Sequence, residues 1–454
     1  MARKKGAPVS PFVPAEEQPY PIPENWCWTY ISNCYEVTSS KRVHKEDWKD
    51  SGVPFYRTRE LVKLSENGYV DNELFIANEL YEKLVADYGK PKIGDILISG
   101  VGTIGVPFVV KENAPFYFKD GNIIWFQCKG ICLPEYIFYL YKSNFMSNLI
   151  HDMSAGTTVD TYTIINANRT MFPLPPLAEQ KRIVTRIESL FAKLDEAKEK
   201  AQAVVDGFEL RKSAILHKAF TGELTERWRK EHGVRLDSWE TKTSKELFDY
   251  VTSGSRGWAQ YYSETGAVFV RMGNLDHGTI ELDFSDIQHV HLPDKAEGQR
   301  SRLQTNDILI SITADVGMVG LVREMNFEAY INQHIALARP NDENDSEFIA
   351  WYLVSDVGLR QMQGKQRGAT KVGLGLDDIR SLQLPMPKLE EQKEIIKVLD
   401  RLIDKERQAK EAAEAVLSQI DTIKKAILAR AFRGELGTND PKEEWTGEML
   451  KKSL

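Results

Sequence analysis

The sequence is poor in cysteine, and it contains no long apolar segment. Its four cysteines, among 454 residues, all lie in the first half, and Cys128 and Cys132 have no histidine nearby that could complete a zinc site. We interpret these thiols as buried or incidental. No apolar run approaches the roughly 20 residues that cross a bilayer, and the N-terminus lacks the apolar core of a signal peptide. We therefore expect a soluble, cytoplasmic protein that does not engage a membrane.

Catalytic and cofactor-binding motifs are also lacking. Residues 100–105 fit the dinucleotide fingerprint GxGxxG, but the next residues predict a strand where the fingerprint requires a helix. A Gly-Lys-Ser/Thr phosphate loop, an Asn-Pro-Pro-aromatic methyltransferase motif and an HExxH pair are absent from the sequence, and none of its Asp/Glu-x-Lys triplets belongs to a convincing nuclease cluster. The chain is therefore predicted to bind rather than to catalyse, with no metal, cofactor or catalytic residue of its own.

The sequence does contain an internal duplication. Residues 173–224 align without a gap on residues 385–436, which lie 212 positions later, and 24 of the 52 aligned positions are identical. The similarity extends upstream, where Asn122 matches Asn332 two positions out of register. A repeat of this length is a whole domain followed by a helix, and it is too long for a solenoid unit.

The duplication predicts an α+β fold with an internal pseudo-two-fold repeat. Two mixed α/β heads would be separated by two long helices that form an antiparallel coiled coil. The predicted segments are a flexible N-terminal arm over 1–23, a first head over 24–172, a helix with its proline-rich lead-in over 173–224, a second head over 225–384, a second such helix over 385–436 and a tail over 437–454.

The coiled coil is predicted from a heptad seam in each long helix. Apolar residues alternate at spacings of four and three over 183–215 and again over 395–427. At 1.5 Å per residue each helix would be roughly 65 Å long, which suits a spacer.

One charged residue interrupts each seam, Arg211 in the first and Glu406 in the second. We predict that these two residues lie side by side and fix the register; the alternative is that they are independent surface charges.

Charge distinguishes the two heads. The net charge of −7 argues against a protein that coats nucleic acid non-specifically. However, residues 357–376 of the second head hold four basic residues and no acidic one, whereas the equivalent residues 145–164 hold two aspartates and no lysine or arginine. The two heads are therefore expected to share a scaffold and to bind different targets.

Three short motifs follow each head in the same order. They are Pro-x-Pro at 173–175 and 385–387, Leu-x-Glu-Gln-Lys at 177–181 and 389–393, and a helix end with Lys-x-Ala-Ile-Leu and Ala-Phe-x-Gly-Glu-Leu over 212–224 and 424–436. This pattern resembles the specificity subunit of a type I restriction-modification system. The resemblance covers nearly the whole chain from Pro23 onward.

The resemblance implies a function for each part of the chain. The heads would be target-recognition domains, each reading half of a split site in double-stranded DNA through the major groove, and the antiparallel helices would set the gap. The implied partners are two methyltransferase subunits, which bind S-adenosylmethionine and methylate adenine at N6, and two motor-nuclease subunits. S-adenosylmethionine, ATP and Mg²⁺ would then be used by the partners and not by this chain. The isolated chain is accordingly expected to have neither nuclease nor methyltransferase activity.

Candidate DNA contacts follow from residue chemistry. Phosphate contacts require basic residues, and base contacts require groups that form paired hydrogen bonds. The candidates in the first head are Lys41, Arg42, Lys45, Arg57, Arg59, Thr157 and Thr158. Those in the second head are Ser255, Arg256, Arg271, Asn274, Lys365, Gln366, Arg367 and Lys371. Two different heads on helices of fixed length predict an asymmetric, bipartite target with an unread spacer.

Two other functions are compatible with a duplicated coiled-coil protein. One is a non-catalytic scaffold whose heads bind proteins, which the acidic net charge favours and the basic loop at 364–371 opposes. The other is a fused restriction enzyme, which the missing catalytic motifs oppose. DNA recognition is therefore the prediction.

Overall fold

The computed structural model describes residues 10–154, 160–292, 297–367 and 373–453. It divides into two compact units, one formed by residues 1–200 with 416–454 and the other by residues 201–415. Each unit therefore combines one head with parts of both long helices. Among the described residues no helix is both long and apolar enough to span a bilayer.

Three sheets make up the described strands of the first unit. The strands are β1 (Cys27–Tyr30), β2 (Tyr35–Thr38), β3 (Trp48–Lys49), β4 (Val53–Tyr56), β5 (Phe75–Ile76), β6 (Ile96–Ser99), β7 (Pro107–Val109), β8 (Tyr117–Phe118), β9 (Ile123–Cys128) and β10 (Met171–Leu174). One sheet pairs β1 with β10, one has the order β2-β9-β6-β7, and one has the order β3-β5-β4-β8.

The second unit repeats this arrangement strand by strand. Its described strands are β11 (Glu240–Thr243), β12 (Phe248–Ser253), β13 (Tyr262–Ser263), β14 (Ala267–Val270), β15 (Gln288–Val290), β16 (Ile308–Ser311), β17 (Val319–Leu321), β18 (Ala329–Ile331), β19 (Ile335–Pro340) and β20 (Gln383–Met386). The sheet orders are β11-β20, β12-β19-β16-β17 and β13-β15-β14-β18. The predicted α+β fold with an internal repeat is confirmed.

The helices complete both units. They are α1 (Ile31–Cys34), α2 (Thr58–Asn67), α3 (Asn78–Tyr88), α4 (Pro134–Tyr141), α5 (Asn144–Ser154), α6 (Ile164–Arg169), α7 (Leu177–Asp206), α8 (Phe208–Phe220), α9 (Glu226–His232), α10 (Ser244–Leu247), α11 (Ser346–Val354), α12 (Asp356–Gly364), α13 (Leu376–Arg380), α14 (Leu389–Ala431) and α15 (Thr446–Ser453). The second long helix is α14, with 43 residues. The first is divided into α7 and α8 at Gly207, a break that the heptad pattern does not predict.

Each unit has one main core in which a sheet, a head helix and a long helix meet. In the first unit Ile98 of β6, Tyr136 of α4 and Ile187 of α7 belong to one buried cluster. In the second unit Ile310 of β16 and Leu399 of α14 belong to the equivalent cluster. The long helices are therefore anchored in the heads at their beginnings, because the apolar face that begins each coil also closes a head core.

A buried glutamine explains the Leu-x-Glu-Gln-Lys motif. The side-chain oxygen of Gln180 accepts a hydrogen bond from the backbone nitrogen of Leu133 at 2.7 Å, and its amide nitrogen donates to the carbonyl oxygen of Pro175 at 2.9 Å. In the second unit Gln392 accepts from the backbone nitrogen of Asp345 at 2.8 Å and donates to the equivalent proline carbonyl at 2.8 Å. The motif thus joins the start of each long helix to its lead-in and to the first turn of a head helix.

The predicted register pair of the coil is present in the second unit. The Nε of Arg211 donates to a carboxylate oxygen of Glu406 at 2.6 Å, and its Nη2 donates to the carbonyl of Val204 at 2.8 Å. In the first unit Lys424 lies 2.5 Å from Asp195 across the same two long helices. The antiparallel pairing and its register are therefore confirmed within each unit.

Exposure limits the energy of the Arg211–Glu406 pair. The two side chains are 37% and 25% exposed, so water screens the pair. We expect a coupling of about 0.5–1 kcal/mol in a double-mutant cycle of Arg211→Ile and Glu406→Leu, well below the few kcal/mol of a fully buried pair. Thermal unfolding of the four proteins measures it. A coupling of zero would show that the contact does not stabilise the coil.

Residues 10–23 of the predicted N-terminal arm pack against the first head. Over the described part, 10–23, the backbone nitrogen of Val13 donates to the carbonyl of Trp28 at 3.1 Å, and Val13 is buried. The indole of Trp28 also donates to the carbonyl of Tyr20 at 3.2 Å. The predicted tail likewise folds back, since Thr446 at the start of α15 donates to the carbonyl of Asn25 at 3.0 Å. Apolar and aromatic residues between the prolines supply the burial that orders this segment.

Candidate nucleic-acid interface

Loops that follow the strands of both four-stranded sheets meet at one edge of each head. We call this the loop edge, and it consists of residues 39–42, 57–60, 100–105, 119–122 and 160–163 in the first head and of residues 253–256, 271–274, 312–317, 332–334, 367 and 373–375 in the second head. Short backbone contacts hold these loops together in both heads. The chain therefore builds the same arrangement of loops twice.

The contacts of the first loop edge join four of its loops. The backbone nitrogen of Gly100 donates to the carbonyl of Asn122 at 2.7 Å, and Val101 forms a β-bridge with Thr161. The nitrogen of Lys119 donates to the carbonyl of Tyr56 at 2.9 Å, directly before the 57–60 loop. Parallel pairing of β4 with β8 and antiparallel pairing of β6 with β9 bring these loops to one edge.

The second loop edge repeats these contacts. The nitrogen of Ile312 donates to the carbonyl of His334 at 2.9 Å, and Thr313 forms a β-bridge with Gly373. The nitrogen of Asn332 donates to the carbonyl of Val270 at 3.1 Å. Asn122 is therefore equivalent to His334, and the sequence match of Asn122 to Asn332 was wrong because the turn before β19 differs in length from the turn before β9.

The strand registers show that candidates in the two heads are equivalent. Thr38 pairs with Trp125 and Thr252 pairs with Leu337, which places Arg42 and Arg256 at the same point of the two loop edges. Arg57 and Arg271 are also equivalent, since each caps the short helix that follows β4 or β14. The two members of each pair are 214 positions apart. An alignment at the 212-residue offset of the long helices therefore does not match them.

Arg57 and Arg59 are engaged within the first head. Both guanidinium groups bind Glu60, Arg57 through two bonds of 3.1 and 2.7 Å and Arg59 through one of 3.1 Å. Glu60 is buried; burial by itself would raise the pKa of its carboxyl, and the bonds from Arg57 and Arg59 lower this pKa below its usual value. Arg57 therefore stabilises the loop, and half-exposed Arg59 keeps a surface that DNA can reach.

The other first-head candidates are more exposed. The Nζ of Lys41 lies 4.9 Å from the ring centre of Tyr88, and the side chain of Arg42 is 72% exposed with Asp120 at 3.3 Å. Lys45 is exposed on the turn that follows. Thr157 and Thr158 lie outside the described residues, as does Lys371 of the second head.

Two second-head candidates are buried and bonded within the head. Asn274 is buried, its amide nitrogen donates to the carbonyls of Asp283 at 2.8 Å and Asp286 at 3.0 Å, and its oxygen caps the nitrogen of Arg271 at 2.8 Å. Its amide is thus bonded on both sides within the head. Ser255 is also buried, and its hydroxyl accepts from Arg300 at 3.3 Å. Sequence alone cannot reveal this burial, because it results from packing between loops.

The remaining second-head candidates have side chains at the surface. Arg256 is exposed, Arg271 is one-third exposed and binds Asp286 at 2.9 Å, and Arg367 is 81% exposed and binds Asp378 at 2.9 Å. Lys365 and Gln366 are half-buried at the end of α12. The basic side chains of this head therefore border the loop edge at two places, near 256 and near 367.

Gln333 was not among the predicted residues, although it belongs to the second loop edge. Its amide nitrogen is 2.8 Å from Nε2 of His334, whose Nδ1 is 2.5 Å from the hydroxyl of Thr313. With Nε2 as acceptor, this chain fixes one tautomer of His334 and one orientation of Gln333. Among the described residues nothing else bonds the amide oxygen or the second N–H of Gln333, and a donor–acceptor pair of this kind is complementary to N7 and N6 of adenine. No sequence pattern marks this residue.

The first head has a different surface at the same place. Its turn carries Lys119, Gly121 and Asn122, and Gly121 has a positive φ of 69°, which favours glycine. Lys119 and Asn122 line a cleft of about 330 Å³ together with Arg57 and Arg59. Lys119 was also missed, because its position depends on the pairing of β4 with β8. The two loop edges therefore share a backbone and differ in the groups that they offer.

Two heads of one topology, each with basic and amide side chains along an exposed loop edge, define a protein with two related recognition surfaces. The family described as the type I restriction modification DNA specificity domain matches residues 23–205 and again residues 237–416. The chain belongs to this family and contains the domain twice. Its part in such systems is DNA recognition, and the alternative of a protein-binding scaffold is not favoured.

Relatives with this name span nearly the whole chain. The EcoBI specificity subunit of Escherichia coli is 24% identical over 421 residues, which cover 89% of this chain and 84% of the relative. The EcoKI specificity subunit of Escherichia coli strain K12 is 24% identical over 438 residues, which cover 91% and 90%. The crystal structure of the HsdS subunit from Thermoanaerobacter tengcongensis has the same fold, with a TM-score of 0.67, 20% identity and coverage of 92% of this chain and all of that chain.

Proposed function

We propose that this protein selects the DNA target of a type I restriction-modification complex through its two loop edges. Each head would read one half of an asymmetric, bipartite site in double-stranded DNA. The observation that carries the proposal is the loop edge built twice on one backbone, with Lys119 and Asn122 in the first head and Gln333 and His334 in the second. Equal scaffolds with unequal hydrogen-bonding groups suit two half-sites of different sequence.

The chemistry of modification and cleavage would reside in partner subunits. Among the described residues no cluster of three or more histidine, cysteine, aspartate or glutamate side chains could hold a metal ion. We propose that two methyltransferase subunits supply S-adenosylmethionine-dependent methylation and that two motor-nuclease subunits use ATP and Mg²⁺. Purified complexes with and without each partner, assayed for methylation and cleavage of a cognate plasmid, test this division of roles. Methylation by the isolated chain, free of its partners, would refute it.

We further propose that the length of the long helices sets the unread spacer. Deletion of one heptad from each helix, with both seams kept in phase, shortens each helix by about 10 Å, or roughly three base pairs. The expected result is a changed spacer with unchanged half-sites, read by sequencing methylated DNA from cells that express the complex. An unchanged spacer would show that the helices do not measure this distance.

Arg256 is proposed to bind a phosphate. Because its exposed side chain borders the second loop edge, Arg256→Ala is expected to weaken binding of all duplexes alike and to lower the dependence of log K on log salt concentration by about one. Titration of cognate and scrambled duplexes at several salt concentrations measures this. The matched control is Arg227→Ala on α9, whose side chain is 92% exposed outside the loop edge. A loss confined to the cognate duplex would instead make Arg256 a base reader.

A further inference from the structure

Two isoleucines of the first head are exposed beside its loop edge. Ile164 and Ile165 begin α6, directly after residues 160–163 of the loop edge, and they are 39% and 56% exposed. Tyr162 anchors this segment, because its backbone nitrogen donates to the carbonyl of Gly100 at 2.8 Å and its ring is buried. The two isoleucine side chains are therefore held at the loop edge, where they expose apolar area that a ligand can cover.

The core of the head does not account for these side chains. Among the described residues Tyr162 and Ala167, on either side of them, belong to the main buried cluster of the first unit, and the isoleucines lie outside it. The start of α6 is fixed by Thr163, whose hydroxyl accepts from a backbone nitrogen of the first turn at 3.1 Å. Isoleucine is a weaker helix former than alanine or leucine, because branching at Cβ restricts its side chain. Neither packing nor helix formation therefore explains two isoleucines here.

The second head has different chemistry at the same place. The β-bridges that hold the segments before α6 and α13 recur at an offset of 212 residues, so Ile164 is equivalent to Leu376 and Ile165 to Asp377. Leu376 is half-buried and packs against the main core of the second unit. The side chain of Asp377 is 97% exposed and accepts from Arg380 at 2.9 Å. One point of the shared scaffold thus carries an apolar group in the first head and an acidic group in the second.

Basic side chains adjoin the isoleucines on the loop edge. Val101 forms its bridge with Thr161, three residues before Ile164, and lines the first-head cleft together with Arg59 and Lys119. Apolar groups beside positive charges suit the major groove of DNA, where phosphates border the base edges. The apolar group that distinguishes a base pair in this groove is the C5-methyl group of thymine. The surroundings of the isoleucines therefore favour a base edge as the group that covers them.

We propose that Ile165 is a specificity-determining residue of the first head and contacts the methyl group of a thymine in the half-site. A β-branched side chain has few rotamers in a helix, so the contact costs little conformational entropy. The first head thereby selects a T·A pair through apolar contact. The equivalent Asp377 of the second head cannot do so, because burial of a carboxylate against a methyl group is unfavourable. The inference rests on the proposed function, since it names one base that the first loop edge reads.

Removal of the methyl group from the DNA tests this contact directly. Each thymine of the cognate duplex, in both half-sites, is replaced in turn by uracil, which lacks the C5-methyl group and keeps the hydrogen-bonding groups of thymine. For the wild-type chain in its restriction-modification complex, one of these replacements is expected to weaken binding by about fourfold, the effect of burying one methyl group. For Ile165→Ala the same replacement is expected to leave the affinity unchanged. Competition binding with labelled duplexes measures both affinities.

Two further variants separate the contact from other effects of substitution. Ile165→Val keeps a branched apolar side chain and is expected to retain most of the sensitivity to uracil, which also covers the case in which the alanine variant does not fold. Ile93→Ala is the matched control, because Ile93 is 65% exposed in the same head and precedes β6, whereas the loop edge follows β6. This control is expected to respond to every uracil as wild type does.

Selective binding by the wild-type complex is scored first, and its absence would refute the proposed function together with this inference. With selective binding present, two results would overturn the inference alone. One is that no uracil weakens binding by wild type, and the other is that every uracil has the same effect in wild type and in Ile165→Ala. Loss of complex assembly by Ile165→Ala, measured by size-exclusion chromatography, would assign the residue to a protein contact and would overturn the inference as well.

Discussion

Replacement of Glu391 by alanine is expected to destabilise the second unit by about 3–5 kcal/mol, because it leaves a buried guanidinium without its counter-ion. Glu391 and Arg229 are both buried, and Nη1 of Arg229 donates to Glu391 at 2.7 Å. The same carboxylate accepts from the hydroxyl of Thr225 at 2.8 Å and from the indole of Trp239 at 2.9 Å. This network fastens the beginning of α14 to the segment that follows α8.

Chemical unfolding of the full-length protein measures the loss. The matched control is Glu390→Ala, which removes an exposed carboxylate from the preceding position of the same helix turn. The double variant Arg229→Met with Glu391→Leu is expected to recover most of the stability, since it removes both buried charges. If Glu391→Ala unfolds with the same free energy as Glu390→Ala, the network contributes nothing and the buried charge is relaxed by water.

Replacement of Gln333 by alanine is expected to reduce discrimination at one base pair of the target. A bidentate amide–adenine contact contributes about 1–3 kcal/mol, which corresponds to roughly 10- to 100-fold between the correct and the wrong base. The effect should be confined to the half-site read by the second head. Competition binding with duplexes randomised over each half-site, followed by sequencing of the bound fraction, measures the preference base by base.

Two further variants define the role of Gln333. Gln363→Ala removes an exposed glutamine of the same head on α12 and is expected to leave every base preference unchanged. Thr313→Val removes the hydroxyl at Nδ1 of His334, so it should lower the preference at the same base pair by a smaller amount. A Gln333→Ala protein with the wild-type preference at all positions would assign base reading to other residues of the loop edge.

The long helices were the most predictable part of the fold. A seam with alternating spacings of four and three depends on residues that are near in sequence, so periodicity identifies it without tertiary information. Arg211 and Glu406 could be paired because an antiparallel coil has one remaining variable, its register, and the single charge in each seam fixes it. The break at Gly207 was not predicted, since one glycine within a heptad pattern is compatible with an unbroken helix.

The candidate site was less predictable, because loops from distant strands form it. Gln333 and Lys119 reach the loop edge through the pairing of β14 with β18 and of β4 with β8, and no periodicity encodes which parallel strands pair. Residue type indicated that Asn274 could read a base, but residue type does not show whether an amide is already bonded inside the head. Arg57 illustrates the same limit, because its guanidinium stabilises buried Glu60.

By itself the sequence determined the duplication, the antiparallel coil, the α+β class and the resemblance to a specificity subunit, since each depends on residues at fixed spacings along the chain. Only the tertiary structure decided the packing of residues 10–23 on the first head, the equivalence of Arg42 with Arg256, and the burial of Asn274. These features depend on which surfaces pack together. Packing joins residues that are far apart in sequence, and burial then determines which polar groups remain free to bind a ligand.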